Sequence, residues 1–274
     1  MSTIYADILD TLRANRPAAL ATVIRARGSA PRHEAAKMLI LDDGTIQGTI
    51  GGGEMESRVI AAAQQVIQSG QAEIVRYALA DPASGDPGVC GGEVEIFLEP
   101  LLPPPLLVVI GAGHVGRALA YLAKWLGFRV AVLDDRPGMA VAEAFPEADR
   151  VLSGPLVESL NQVGITGQTY VVAVNRGYRL DVEVLPVLLT SPAAYIGIMG
   201  SQRRWLTTVA EVRELGIREE QLARVHAPVG LELNAETPEE IAVSIMAEVI
   251  MIQRQGTGQP MSAGRREKRV ESRD

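Results

Sequence analysis

The chain has 274 residues, of which 47% are hydrophobic and only 4% aromatic, so its core must be filled by Ala, Val, Leu and Ile. A formal net charge of −7 disfavours a nucleic-acid partner, a single cysteine excludes an internal disulfide, and no apolar run approaches a membrane span. The start, MSTIYADILDTLRANRP, has no cationic n-region and so is not a secretory signal; a cytoplasmic protein of two domains or one large one is expected. In chain order, Ile4–Asn15 reads as a short helix with Ile4, Ile8 and Leu12 on one face. Strands are expected at Ala18–Ile24 and Ala36–Leu41, followed by an Asp42-Asp43-Gly44 hairpin turn and a strand at Ile46–Ile50. Three glycines, Gly51, Gly52 and Gly53, precede a helix from about Glu54 to Ser69 that Gly70 caps. Ile74–Leu79 and Val94–Leu98 complete a small α+β domain, residues 1–99. The Pro103-Pro104-Pro105 run then reads as a linker, Glu99–Pro105.

The second part opens on its most informative stretch. An apolar run, Leu106–Ile110, ends in Gly111-Ala112-Gly113-His114-Val115-Gly116, a helical pattern follows to about Leu126, and a second apolar run, Phe128–Leu133, ends on Asp134. This is the context a GxGxxG motif needs: a first Gly for the tight turn, a second for close backbone approach to a pyrophosphate, a third for packing helix against strand. Phosphate is expected on the helix N-terminus, with Asp134 or Asp135 accepting from ribose hydroxyls; a βαβ unit with no dinucleotide is the alternative. Strands at Tyr170–Val174 and Tyr195–Ile198 alternate with helices at Ala140–Phe145, Leu156–Val163, Asp181–Leu189, Gln202–Leu215 and Pro238–Arg254, the last announced by Thr237-Pro238-Glu239-Glu240. The fold class is therefore α/β: a Rossmann-like, doubly wound parallel sheet over 106–256, preceded by the smaller α+β domain. Residues 257–274 read as a solvated tail, with five basic side chains against three acids over 264–274.

Several stretches can carry chemistry. Arg25, Arg27 and Arg32 surround a small-residue loop containing Ser29, an anion clamp or a plain solvated loop. Gly51-Gly52-Gly53 at a helix start forms an anion nest or a tight turn; Glu54 and Glu56 oppose a simple phosphate reading. Cys90 lies among glycines with Gly91 and Gly92, where it is a nucleophile, a persulfide carrier, a soft metal ligand or an incidental turn residue. His114 lies inside the dinucleotide turn, and His226 in His226-Ala227-Pro228-Val229-Gly230 borders the crevice expected at the sheet's C-terminal edge. His33, His114, His226 and Cys90 match no zinc-ligand spacing.

The series GSAPR (Gly28–Arg32), GTIGGG (Gly48–Gly53), VCGG (Val89–Gly92), GAGHVG (Gly111–Gly116), DDRP (Asp134–Pro137), YIGIMGSQRR (Tyr195–Arg204) and HAPVGLELNAETPEEIAVSIMAE (His226–Glu248) resembles the XdhC/CoxI family of molybdenum-hydroxylase accessory proteins over roughly residues 10–255. The resemblance implies a maturation factor that binds molybdenum cofactor (molybdopterin), holds it while a cysteine desulfurase replaces an oxo ligand by sulfur, and delivers it to a xanthine dehydrogenase-like apoenzyme. On that reading Arg27, Ser29, Arg32, Gly51, Gly52 and Gly53 hold the pterin phosphate. Cys90, beside Gly91 and Gly92, acts as the reactive group and soft thiolate at molybdenum. Gly111, Gly113, His114, Gly116, Asp134 and His226 offer a second, nucleotide-like site. Two departures limit the carry-over: Asn175–Asp181 contains none of the histidines often found there in relatives, and Val89 beside Cys90 excludes a two-thiolate site in one subunit. The competing expectation is an NAD(P)-dependent oxidoreductase built on Gly111–Gly116 and Asp134, with His226 as proton donor. A homodimer is expected because closed two-fold assemblies are the commonest.

Overall fold

The computed structural model describes residues 4–14, 16–27, 34–78 and 93–262. They fall into two compact units, Met1–Pro103 and Pro104–Asp274. In the first, α1 (Ile4–Arg13) precedes β1 (Ala18–Arg27), β2 (Lys37–Leu41), β3 (Ile46–Gly48), α2 (Gly53–Ser69), β4 (Glu73–Ala78) and β5 (Glu93–Leu101). The strands form one antiparallel sheet in the order β3-β2-β1-β5-β4. Alternation decides which helix covers which face. Ala19, Met38, Ile40, Ile96 and Leu98 point to the face carrying Val59, Ala63 and Val66 of α2. Ala18, Leu39 and Leu41 point the other way, toward Ile4 and Ile8 of α1. Gly70 ends α2 in the left-handed conformation, its N–H donating to the Val66 carbonyl.

Several boundaries differ from the sequence reading: α1 ends at Arg13 rather than Asn15, and β1 runs on past Ile24 to Arg27, through a register shift between Val23 and Arg25. β3 stops at Gly48, where a positive φ and the Lys37 carbonyl 2.6 Å from an added Cβ leave room only for glycine. β5 continues through Pro100 to Leu101, into the stretch read as linker. Pairing with β4 ends at Leu98, so β5 has a single neighbour at Pro100, the edge setting in which proline is tolerated.

The second unit contains β6 (Leu106–Ile110), α3 (His114–Trp125), β7 (Arg129–Asp134), β8 (Arg150–Ser153), α4 (Leu156–Val163), β9 (Thr169–Ala173), α5 (Tyr178–Thr190), β10 (Tyr195–Ile198), α6 (Gln202–Glu214), α7 (Glu219–Leu222), β11 (Val225–His226) and α8 (Pro238–Arg254). Its sheet is parallel throughout, in the order β8-β7-β6-β9-β10-β11. Taken in chain order, these strands are arranged 3-2-1-4-5-6, the Rossmann arrangement with its switch point between β6 and β9. Both faces are covered, which is why the central strands read as unbroken apolar runs. Val109, Val132 and Val172 pack against α3 and α8; Val108, Ala131 and Val171 pack against α4, α5 and α6. Trp125 closes α3 in solvent, and Trp205 of α6 packs at the margin of the second core.

Within this unit, Ala140–Phe145 forms a single 3₁₀ turn, Ala142–Ala144, in place of the expected helix, since Gly138 and Pro146 leave too few residues between them. The capping box at Thr237 is formed as expected: Thr237 accepts from the Glu240 N–H and Glu240 accepts from the Thr237 N–H.

Candidate functional site

At the switch point the chain must turn tightly from β6 into α3. Gly111 has φ +118, and a Cβ there would stand 2.9 Å from the Val174 carbonyl carbon and oxygen. A Cβ on Gly116 would lie 1.9 Å from the Gly111 carbonyl oxygen. These two glycines are required by backbone approaching backbone within the fold, whatever the turn binds. Gly113 serves as N-cap without a side-chain cap, and no acid occupies the first turn of α3. His114, the first residue of the helix, is exposed and lines a groove of about 750 Å³ between α3 and α8.

Asp134 ends β7 beside this turn and is 2% exposed. Its Oδ2 accepts from the Ala112 N–H at 2.7 Å and from Arg136 Nη2 at 2.8 Å, and its Oδ1 accepts from the Arg136 N–H and Nε. Burial alone raises this carboxyl, but the Arg136 and Ala112 donors outweigh it and hold the group below the ordinary carboxylate value. The acid expected to meet a ribose is thus engaged by the chain itself. Asp135, the other residue named for that role, pairs with Arg176 Nη2 at 3.2 Å.

His226 is the last residue of β11, at the edge of the sheet. Three strand spacings, about 14 Å, separate β11 from β6, so His226 does not share the glycine-turn crevice. Its Nδ1 donates to Glu248 Oε1 at 2.8 Å, and its ring lies 4.6 Å from that of Tyr195. Glu248 Oε2 also accepts from the Tyr195 hydroxyl and the Gly230 N–H, each at 2.6 Å. Burial raises Glu248, yet these three donors hold it below its ordinary value, while burial and the adjacent carboxylate push the Tyr195 hydroxyl well up. The network pins the loop after β11 to α8. Gly230 fits there because its Cβ would meet Ser244 Oγ at 2.4 Å.

In the first unit, Gly51, Gly52 and Gly53 all have positive φ and form the expected nest at the start of α2. Glu56 fills it. Its Oε1 accepts from Thr49 Oγ1 at 2.5 Å, from the Gly52 N–H at 2.9 Å and from the Ile50 N–H at 3.1 Å. Burial raises this carboxyl and the donors more than reverse it, leaving it below its ordinary value. Arg27 ends β1 exposed, opposite Glu93, and Arg25 lies 3.8 Å from Glu95. Ser29, Arg32, Cys90, Gly91 and Gly92 lie outside the described residues, as does most of the tail at 257–274. Among the described residues no group of three or more His, Cys, Asp or Glu is placed to hold a metal ion, and no helix is long and apolar enough to cross a membrane.

A family model described as the XdhC Rossmann domain matches residues 107–249, and one described as the XdhC and CoxI family matches residues 11–78. The chain belongs to the XdhC/CoxI family. It is 38% identical over 249 residues to the uncharacterized protein YqeB of Escherichia coli, covering 89% of this chain and 45% of that protein. The chain thus spans about half the length of that relative. It is 24% identical over 281 residues to the molybdenum cofactor insertion chaperone PaoD of Escherichia coli, covering 91% of this chain and 88% of the chaperone. A crystal structure described as a xanthine dehydrogenase from Bacillus halodurans matches with a TM-score of 0.51 and 24% identity, over 93% of this chain and 96% of that one, a likeness of fold.

One constellation in this XdhC/CoxI protein escaped the sequence reading. Arg204 at the start of α6 donates through Nε and Nη2 to Asp181 at 2.7–2.9 Å, through Nη2 to Asn175 Oδ1 at 2.6 Å, and through Nη1 to the Asn175 carbonyl at 3.0 Å. Asn175 Nδ2 donates to Asp181, which is fully buried. Burial pushes the Asp181 carboxyl up, against the pull of Asn175 and Arg204. This fixes the loop after β9, one wall of the switch point. A signal was present: Asp181 lies in the apolar stripe of Val184, Leu185 and Leu188, where a charge demands a partner.

Proposed function

We propose that this chain is an accessory protein of molybdenum-hydroxylase maturation, which holds molybdenum cofactor for sulfuration by a cysteine desulfurase and passes it to a xanthine dehydrogenase-like apoenzyme. The observation that carries the reading is membership of the XdhC/CoxI family over both units. The nearly full-length likeness to a molybdenum cofactor insertion chaperone supports it further. Cys90, the sole cysteine, is the soft ligand the reading assigns to molybdenum. The phosphate of the cofactor fits the Gly111–Gly116 turn better than the Gly51–Gly53 nest. At the former a carboxylate of the chain meets only the Ala112 N–H, whereas at the latter Glu56 takes the Ile50 and Gly52 N–H groups together and a phosphate must first displace it. The test is mass spectrometry of the protein co-expressed with a molybdenum cofactor pathway, for wild type and Cys90→Ala. Pterin and molybdenum bound to the wild type and lost from the variant, with loss of apo-hydroxylase activation, are expected. Full activation by the variant would overturn the role of Cys90, and absence of pterin from the wild type would overturn the function.

A second reading, an NAD(P)-dependent oxidoreductase, is favoured by the 3-2-1-4-5-6 strand order. The engagement of Asp134 by Ala112 and Arg136 weighs against it, because no free carboxylate oxygen of that residue is left for a ribose diol. Calorimetric titration with NADH and NADPH decides: tight binding with hydride turnover would select this reading over the first.

A further inference from the structure

The tips of β7 and β9 are tied to each other across the end of β6. In the sheet β6 lies between those two strands, so the Arg176 side chain, two residues beyond Val174, spans the Gly111–Gly113 turn to meet Asp135, the residue after β7. The two carboxylates at the tip of β7 differ sharply. Asp134 is buried and held by the turn and by Arg136, so it stays where it is when the surroundings change. The Asp135 and Arg176 side chains are 31% and 59% exposed and share one contact at 3.2 Å, a pair that shifts an equilibrium by no more than about fivefold.

A phosphate group offers three acceptor oxygens and up to two charges to a guanidinium fork, against the single oxygen Asp135 presents. We propose that the Asp135–Arg176 pair is a removable strap over the glycine turn, opened when a phosphate-bearing ligand takes Arg176 from Asp135. This rests on reading Gly111–Gly116 as the seat of the ligand's phosphate. The ligand class is a phosphate monoester or a pyrophosphate, and Arg176 is the residue that exchanges partner. Arg136 keeps Asp134 throughout, so the strap moves without loosening the turn.

The test is calorimetric titration of the full chain with inorganic pyrophosphate, for the wild type, Asp135→Asn, Arg176→Gln and the double variant. Both side chains are on the surface of their loops, so the fold is retained. Removing the competing carboxylate should tighten pyrophosphate about threefold in Asp135→Asn, and Arg176→Gln should weaken it about tenfold. In the Arg176→Gln background, Asp135→Asn should then change nothing. Unchanged or weaker binding in Asp135→Asn would overturn the strap, as would a tightening that persists without Arg176, since that is a general charge effect. Binding in none of the four proteins would overturn the phosphate reading of the turn, and the strap with it.

Discussion

The two glycine turns that open α2 and α3 both hold a carboxylate of the chain itself, and they hold it in different ways. At Gly51–Gly53 the chain supplies its own anion: the Glu56 carboxylate turns back into the nest. At Gly111–Gly116 the chain supplies an anion only to Ala112, from Asp134 on the neighbouring strand; neither helix has a side-chain N-cap. The difference lies in the first helical turn. Glu54 and Glu56 occupy it in α2, whereas α3 carries no acid there. A glycine nest is an anion site only in proportion to what its own helix puts into it.

Substitutions sharpen this contrast, the largest effect coming from the turn made by backbone contact. Gly116→Ala drives a methyl into the Gly111 carbonyl and should cost more than about 3 kcal/mol in denaturant unfolding, enough to shift the midpoint of the second unit strongly. Asp134→Ala leaves the buried Ala112 N–H without its acceptor and should cost about 2–3 kcal/mol. Because the folded carboxyl lies below its ordinary value of 3.8, its contribution is present above that pH and is lost as pH falls through the folded value. The gap between wild type and Asp134→Ala should therefore narrow below about pH 4, and a gap that widened on acidification would contradict the assignment.

In the first unit the effects are smaller. Glu56→Ala empties the nest and should cost about 1–2 kcal/mol by chemical denaturation. Added inorganic phosphate should recover part of that loss in the variant and leave the wild type unmoved; equal stabilisation of both would break the comparison. Gly53→Ala meets no atom within 4 Å and pays only for its φ of +71, about 1 kcal/mol. The same Gly→Ala change thus separates a turn defined by contact from one defined by conformation.

The strands of the second unit were legible because burial on both faces writes them as apolar runs bounded by Gly, Asp and Pro. β8 was not, since Arg150-Val151-Leu152-Ser153 at the sheet edge carries only two apolar residues. Nor were β11, only two residues long, and α7, a single turn inside a polar stretch. The glycine turns were correctly located, but their contents depend on side chains arriving from other elements. Asp134 comes from β7 to Ala112, and Glu248 comes from α8, 22 residues beyond His226. Composition and spacing place a carboxylate in a sequence without showing which donor it will reach. His226 illustrates the point: its loop reads as a crevice border, while its Nδ1 is committed to holding that loop on α8.

The two indole side chains described above, Trp125 and Trp205, both belong to the second unit, and the sequence has no others. Intrinsic indole emission is therefore a private reporter of the Rossmann half, blind to melting of the antiparallel sheet. Far-ultraviolet circular dichroism, by contrast, sums the helices and strands of both halves. Coincident midpoints from the two signals would mark one cooperative block, and separated midpoints would give each half its own stability without any engineered label.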